Sequence, residues 1–118
     1  MEYKIGDVEL RFAQLIWANQ PIPSGELVGL AAEALTWKKP TTYTVLRKLC
    51  EKGLFENKDG LVTAKISQED FMAVRSETFV EESFGGSLPR FLAAFSRGKK
   101  LSDAEIAEIK AIIDGQEG

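Results

Sequence analysis

Apolar residues recur along this chain at two spacings. Over Val8 to Ala18 they fall at 8, 12, 15 and 16, with Trp17 beside them, which predicts one helix. Over Gly25 to Leu35 they fall at Leu27, Val28, Leu30, Ala31 and Leu35, which predicts a second. Pro21, Pro23 and Ser24 separate the two, with Ser24 as an N-cap residue. A third helix is expected over Lys38 to Gly53, where Val45, Leu46, Leu49 and Cys50 form an apolar stripe. Pro40 suits its first turn and Gly53 the left-handed position past its end. The spacing then shortens. Leu54 to Ile66 reads as two short strands around Asp59-Gly60, a strong hairpin signal.

Helical spacing returns after Ser67, which has an acid three residues on and resembles a capping box. A helix is expected from about Gln68 to Ser83, stopped by Gly85-Gly86. Ser87 caps the next, with Leu88, Phe91, Leu92 and Phe95 along one face. Ser102 to Glu105 is a capping box for a last helix carrying Ile106, Ile109, Ile112 and Ile113, which frays at Gly115. The fold class expected is mainly α with a small β-hairpin. Residues 1–66 make a winged helix-turn-helix domain, and residues 67–118 a three-helix lobe.

The third helix has a second face: Thr41, Thr44, Arg47, Lys48 and Glu51 lie opposite the stripe. Short hydroxyls with long cations suit a helix in a DNA major groove, where they reach base edges and phosphates. The net charge of −3 argues against DNA until its distribution is considered. Residues 1–37 are net −3 and residues 66–118 net −4, whereas residues 38–65 hold seven basic and three acidic groups. Local field governs contact with phosphate. A solvated charged face is the plainer reading of such a run taken alone.

The last fifty residues hold five of the seven phenylalanines. Three short helices have little interior of their own, so this surface needs a partner. A second copy in an isologous dimer is one answer, and folding back on the first lobe is the other. The residues expected at the dimer interface are Phe79, Phe84, Leu88, Phe91, Leu92, Phe95, Ile106, Ile109 and Ile113.

Other chemistry is sparse. There is no histidine and one cysteine, so no zinc site, disulfide or histidine-based catalysis is expected. Glu81-Glu82 and the acids of the last helix read as solvated faces, and Gly85-Gly86 lacks the pattern of a nucleotide loop. No enzyme activity, cofactor or metal is expected. No apolar run approaches the ~20 residues that span a bilayer, and Met1 to Asp7 is polar. A cytoplasmic protein without membrane insertion is the expectation.

With LIWANQPI, Trp37, TTYTVLRKLCEKG, SFGGSLPRFLAAF and KLSDAEIAEIKAII in view, the chain resembles the BlaI/MecI penicillinase-repressor family of winged-helix regulators, over roughly Gly6 to Asp114. The resemblance implies a homodimeric transcriptional repressor. Its third helices would read an inverted-repeat operator with half-sites like TACA and TGTA. The family pattern K-T-x-R-T is matched by Thr41 and Thr44, and a later basic residue by Lys48. Tyr43 departs, standing where many members have arginine. Tyr43, as a contact to a thymine methyl or a phosphate, and Lys39, Thr42, Arg47 and Lys58 complete the expected DNA contacts; for Thr42 and Tyr43, packing between helices is an equal alternative. In antibiotic-responsive members a membrane-bound sensor metalloprotease triggers cleavage at an Asn-Phe bond, which maps by position to Ala94-Phe95; Phe95 matches and Ala94 does not. The cysteine cluster of copper-responsive relatives is absent after Cys50. A winged-helix adaptor that binds protein rather than DNA is the competing reading.

Overall fold

The computed structural model describes residues 3–116. The elements run α1 (Asp7–Asn19), β1 (Ile22–Pro23), α2 (Ser24–Leu35), α3 (Lys39–Glu51), β2 (Phe55–Lys58), β3 (Leu61–Ala64), α4 (Gln68–Phe84), α5 (Leu88–Gly98) and α6 (Asp103–Gln116). This is the expected mainly helical class, with one addition. The hairpin gains a third strand, because Ile22 pairs with Val62 and Pro23 with Leu61, giving the antiparallel order β1-β3-β2. Two residues containing a proline carry no alternation, so no strand was expected there.

The turns follow their residue types. Asp59 and Gly60 both have positive φ, 53° and 82°, which is the backbone a two-residue hairpin needs. Gly53, φ 87°, turns the chain from α3 into β2. Ser67, Ser87 and Ser102 cap their helices, accepting from the N–H groups of Asp70, Arg90 and Glu105 at 3.1, 3.2 and 3.1 Å. Glu105 returns the bond by accepting from Ser102 N at 3.0 Å, which holds its carboxyl below the usual carboxylate range. Two ends differ from expectation. α6 continues to Gln116. Ser24 is the first residue of α2 rather than its cap, a position that Pro23 takes, and its hydroxyl accepts from Tyr43.

The chain groups into two compact units, Met1–Ser76 and Glu77–Gly118. The division falls within α4, ten residues after the boundary expected at 66/67. The first unit has a closed core of Phe12, Ile16, Leu27, Leu46, Leu49, Leu54, Phe55, Val62 and Phe71. Trp17 lies 5.2 Å from both Phe55 and Phe71 between ring centres, and its indole N–H donates to Ile66 O at 3.0 Å. Trp37 sits 5.1 Å from Phe12 and fixes the entry to α3. Each such burial is worth about 1.5–3 kcal/mol, so one face of α3 is held by its apolar stripe and the opposite face is left to water. Leu49, fully buried on that stripe, tests the point. Leu49→Ala should destabilise the first unit by about 2–5 kcal/mol, read as a lower denaturation midpoint at unchanged slope.

The second unit is built differently. Among the described residues none from Glu77 onward is buried. Phe79 and Leu88 are each 52% exposed and Ile112 65%. The rings of Phe79, Phe84, Phe91 and Phe95 form a chain with centres 5.5–6.1 Å apart. A groove of about 300 Å³ runs between α5 and α6, lined by Leu92, Ala93, Leu101, Ile106 and Ile109.

Candidate nucleic-acid interface

α3 sorts its residues by angle. Thr42, Leu46 and Leu49 point into the core, and Val45, Tyr43 and Cys50 flank them half-buried. Thr41, Thr44 and Lys48 are exposed and stand at i, i+3 and i+7, one strip along the helix. Lys39 and Arg47 are exposed beside that strip, and Lys58 is exposed at the end of β2.

Thr42 is not on this face. It is 1% exposed and its hydroxyl donates to Lys38 O at 3.2 Å, so the expected phosphate contact is corrected to a core role. The buried hydroxyl needs that bond, because an unpaired polar group would cost about 1–3 kcal/mol. Thr44 is exposed, and its hydroxyl donates to Pro40 O at 2.9 Å. Its oxygen keeps lone pairs outward and so suits an amino donor on a base edge, while its methyl offers an apolar contact. Tyr43 is half-buried, with its phenol donating to Ser24 Oγ at 3.1 Å. That bond turns it toward α2.

The seven cations of residues 38–65 do not act together. Lys52 reaches away, donating to Lys4 O at 2.7 Å and lying 3.4 Å from Glu9. Between α3 and β2 lies a notch of about 280 Å³ lined by Tyr43, Leu46, Arg47, Cys50 and Asn57. Arg47 is exposed and lines this notch. Burial pushes the Cys50 thiol up from its ordinary value, which keeps it protonated and a poor nucleophile. Ser24, Asn57 and Gly60 also belong to this surface. Only the Asp59-Gly60 turn signalled it in advance, since the others become neighbours through folding.

The residues expected at a dimer interface are all in the second unit, and their exposure leaves apolar surface unused. Phe79, Leu88, Phe95, Ile106 and Ile113 are exposed; Phe84, Phe91, Leu92 and Ile109 are half-buried. Ala94 and Phe95 lie inside α5, both exposed. Among the described residues no group of His, Cys, Asp and Glu is arranged to hold a metal ion, and no helix is long and apolar enough to cross a membrane.

The family profile described as penicillinase repressor matches residues 5–115. The penicillinase repressor of Bacillus licheniformis is 30% identical over 115 residues, covering 94% of this chain and 90% of the relative. The methicillin resistance regulatory protein MecI of Staphylococcus aureus is 22% identical, covering 95% and 94%. A solved structure, the monomeric form of Bacillus licheniformis BlaI in complex with the blaP half-operator, is 27% identical with a TM-score of 0.49, covering 57% of this chain and 87% of that one.

Proposed function

The chain belongs to the penicillinase-repressor family, and from that premise we propose that it is a homodimeric transcriptional repressor of an inverted-repeat operator. The family is one of repressors rather than enzymes. Each copy lays α3 in the major groove of one half-site. Thr41, Thr44 and Lys48 meet base edges, while Lys39, Arg47 and Lys58 meet phosphates. The observation that carries this reading is the exposed strip of hydroxyls and a cation on α3, flanked by Arg47 at the notch beside the wing. The buried stripe behind it holds the helix rigid, which direct readout requires. The second lobe joins two copies, matching the two-fold of the operator. Cleavage in that lobe, at Ala94-Phe95, relieves repression through a membrane-bound sensor metalloprotease system. The protein acts in the cytoplasm, where its DNA is.

Selection of bound sites from random duplexes tests the reading. It should return an inverted repeat, and a pool without any consensus would overturn it. Salt separates DNA from a protein partner, because each neutralised phosphate releases counterions. Arg47→Ala and Lys58→Ala should each weaken operator and random DNA alike and reduce the salt slope by about one unit per half-site. A changed base preference at unchanged slope would mean that base and backbone roles are exchanged.

Thr44→Val keeps the shape of the side chain and removes its oxygen. The fold should survive, since the position is exposed. Operator affinity should fall by roughly 1–3 kcal/mol per half-site, with random DNA unaffected. Equal operator affinity before and after the change removes Thr44 from the readout.

A further inference from the structure

Three parts of the DNA-facing surface meet at one serine. Tyr43, on the second turn of α3, donates its phenol proton to Ser24 Oγ at 3.1 Å. The backbone N–H of Ser24 donates to Gly60 O at 2.7 Å, and Gly60 is the second residue of the hairpin turn. A Cβ at Gly60 would lie 3.9 Å from that same Ser24 oxygen, so turn and serine are in contact. The residue before Ser24 closes β1 against β3. One chain of bonds therefore runs from the recognition helix, through the first residue of α2, to the tip of the wing.

We infer that Tyr43 is a positioning residue for operator recognition rather than a reader of bases. Its phenol is directed at Ser24, and its ring lies half-buried at the wall of the notch beside Leu46. What the bond sets is the placement of the wing relative to α3. Lys58 at the hairpin and Arg47 at the notch are exposed, as are Thr41 and Thr44 on α3; in the reading proposed above the first two meet phosphates and the second two meet bases. All four reach DNA together only when helix and wing keep one relative orientation. Non-specific binding has no such demand, because phosphate contacts tolerate several orientations. Tyr43 thus governs the gap between operator and random DNA.

The inference rests on the DNA-binding reading above, and the experiment separates the two. Wild type, Tyr43→Phe, Ser24→Ala and the double variant are compared by Kd on the selected operator and on a random duplex of equal length, at one salt concentration. Tyr43→Phe keeps the ring and the packing, so the fold should survive with a melting temperature only a few degrees below wild type. A hydrogen bond of this kind is worth a factor of roughly 2–10 in an equilibrium. With two copies bound, each single variant should lose about tenfold on the operator and stay within about twofold on random DNA. The double variant should be no worse than either single one, because both remove the same bond. Sites selected by Tyr43→Phe should carry the wild-type consensus. Unchanged operator affinity, additive losses, or a consensus altered at a single base pair would each overturn the inference. A wild type that does not distinguish operator from random DNA would instead bring down the DNA reading, and this inference with it.

Discussion

Phe91→Ala should convert the protein to a monomer at micromolar concentration and reduce operator affinity by about 10²–10⁴-fold, the factor that linking two binding modules supplies. Phe91 is at the centre of the aromatic chain, with ring centres 6.0, 5.5 and 6.1 Å from Phe79, Phe84 and Phe95. Within one copy it is only half-buried, and its neighbours Phe79 and Phe95 are exposed. Truncation also removes three ring contacts within each copy, so the melting temperature of the variant is read beside its oligomeric state. In a dimer that covers this surface, loss of a buried Phe side chain costs about 3–5 kcal/mol. The two-fold applies that cost twice. Sedimentation at several concentrations, run beside operator binding, reads both effects. A full Phe91→Ala dimer at low concentration would place the interface elsewhere and make the stripe internal to the lobe.

Much of the fold was legible because local chemistry and tertiary packing agree. The serines before α4, α5 and α6 cap as their type predicts, and Asp59-Gly60 adopts the backbone its hairpin demands. The apolar stripe of α3 is buried at Leu46 and Leu49, and the outward strip of Thr41, Thr44 and Lys48 follows from the same period. What was not legible depended on contacts far apart in sequence. Ser24 has the composition of a cap, yet its hydroxyl meets Tyr43, nineteen residues on. Lys52 counts toward the basic segment but is drawn off by Glu9. Thr42 has a polar name and a core position, which helical angle alone could indicate, since it stands at i−4 from Leu46 and i−7 from Leu49. Among adjacent threonines, only the period separates the buried one from its exposed neighbours.

Cleavage between Ala94 and Phe95 should release the operator as completely as Phe91→Ala, and its rate should depend on protein concentration. The bond lies inside α5, which runs unbroken from Leu88 to Gly98. A protease needs extended chain, so the helix must open first, and the cost of opening sets the rate when reclosing is fast. In a single copy that cost is low, because no residue of α5 is buried and Phe95 is 43% exposed. In a dimer the opening must also uncover Leu88, Phe91, Leu92 and Phe95 from the partner, and association suppresses it in proportion to occupancy of the dimer. A broad-specificity protease that accepts Phe should therefore cut this region fast at dilute protein and slowly at concentrations well above the dimer constant. Phe91→Ala should be cut fast at both. Once cut, α6 is severed from α4 and the first half of α5, and each winged helix is left with one half-site. Operator affinity should then fall by about 10²–10⁴-fold, while binding to an isolated half-site persists. Cutting at a rate independent of concentration would mean that association does not cover α5. Cut protein that still holds the full operator as tightly as before would mean that the lobe beyond Ala94 has no part in joining the two copies.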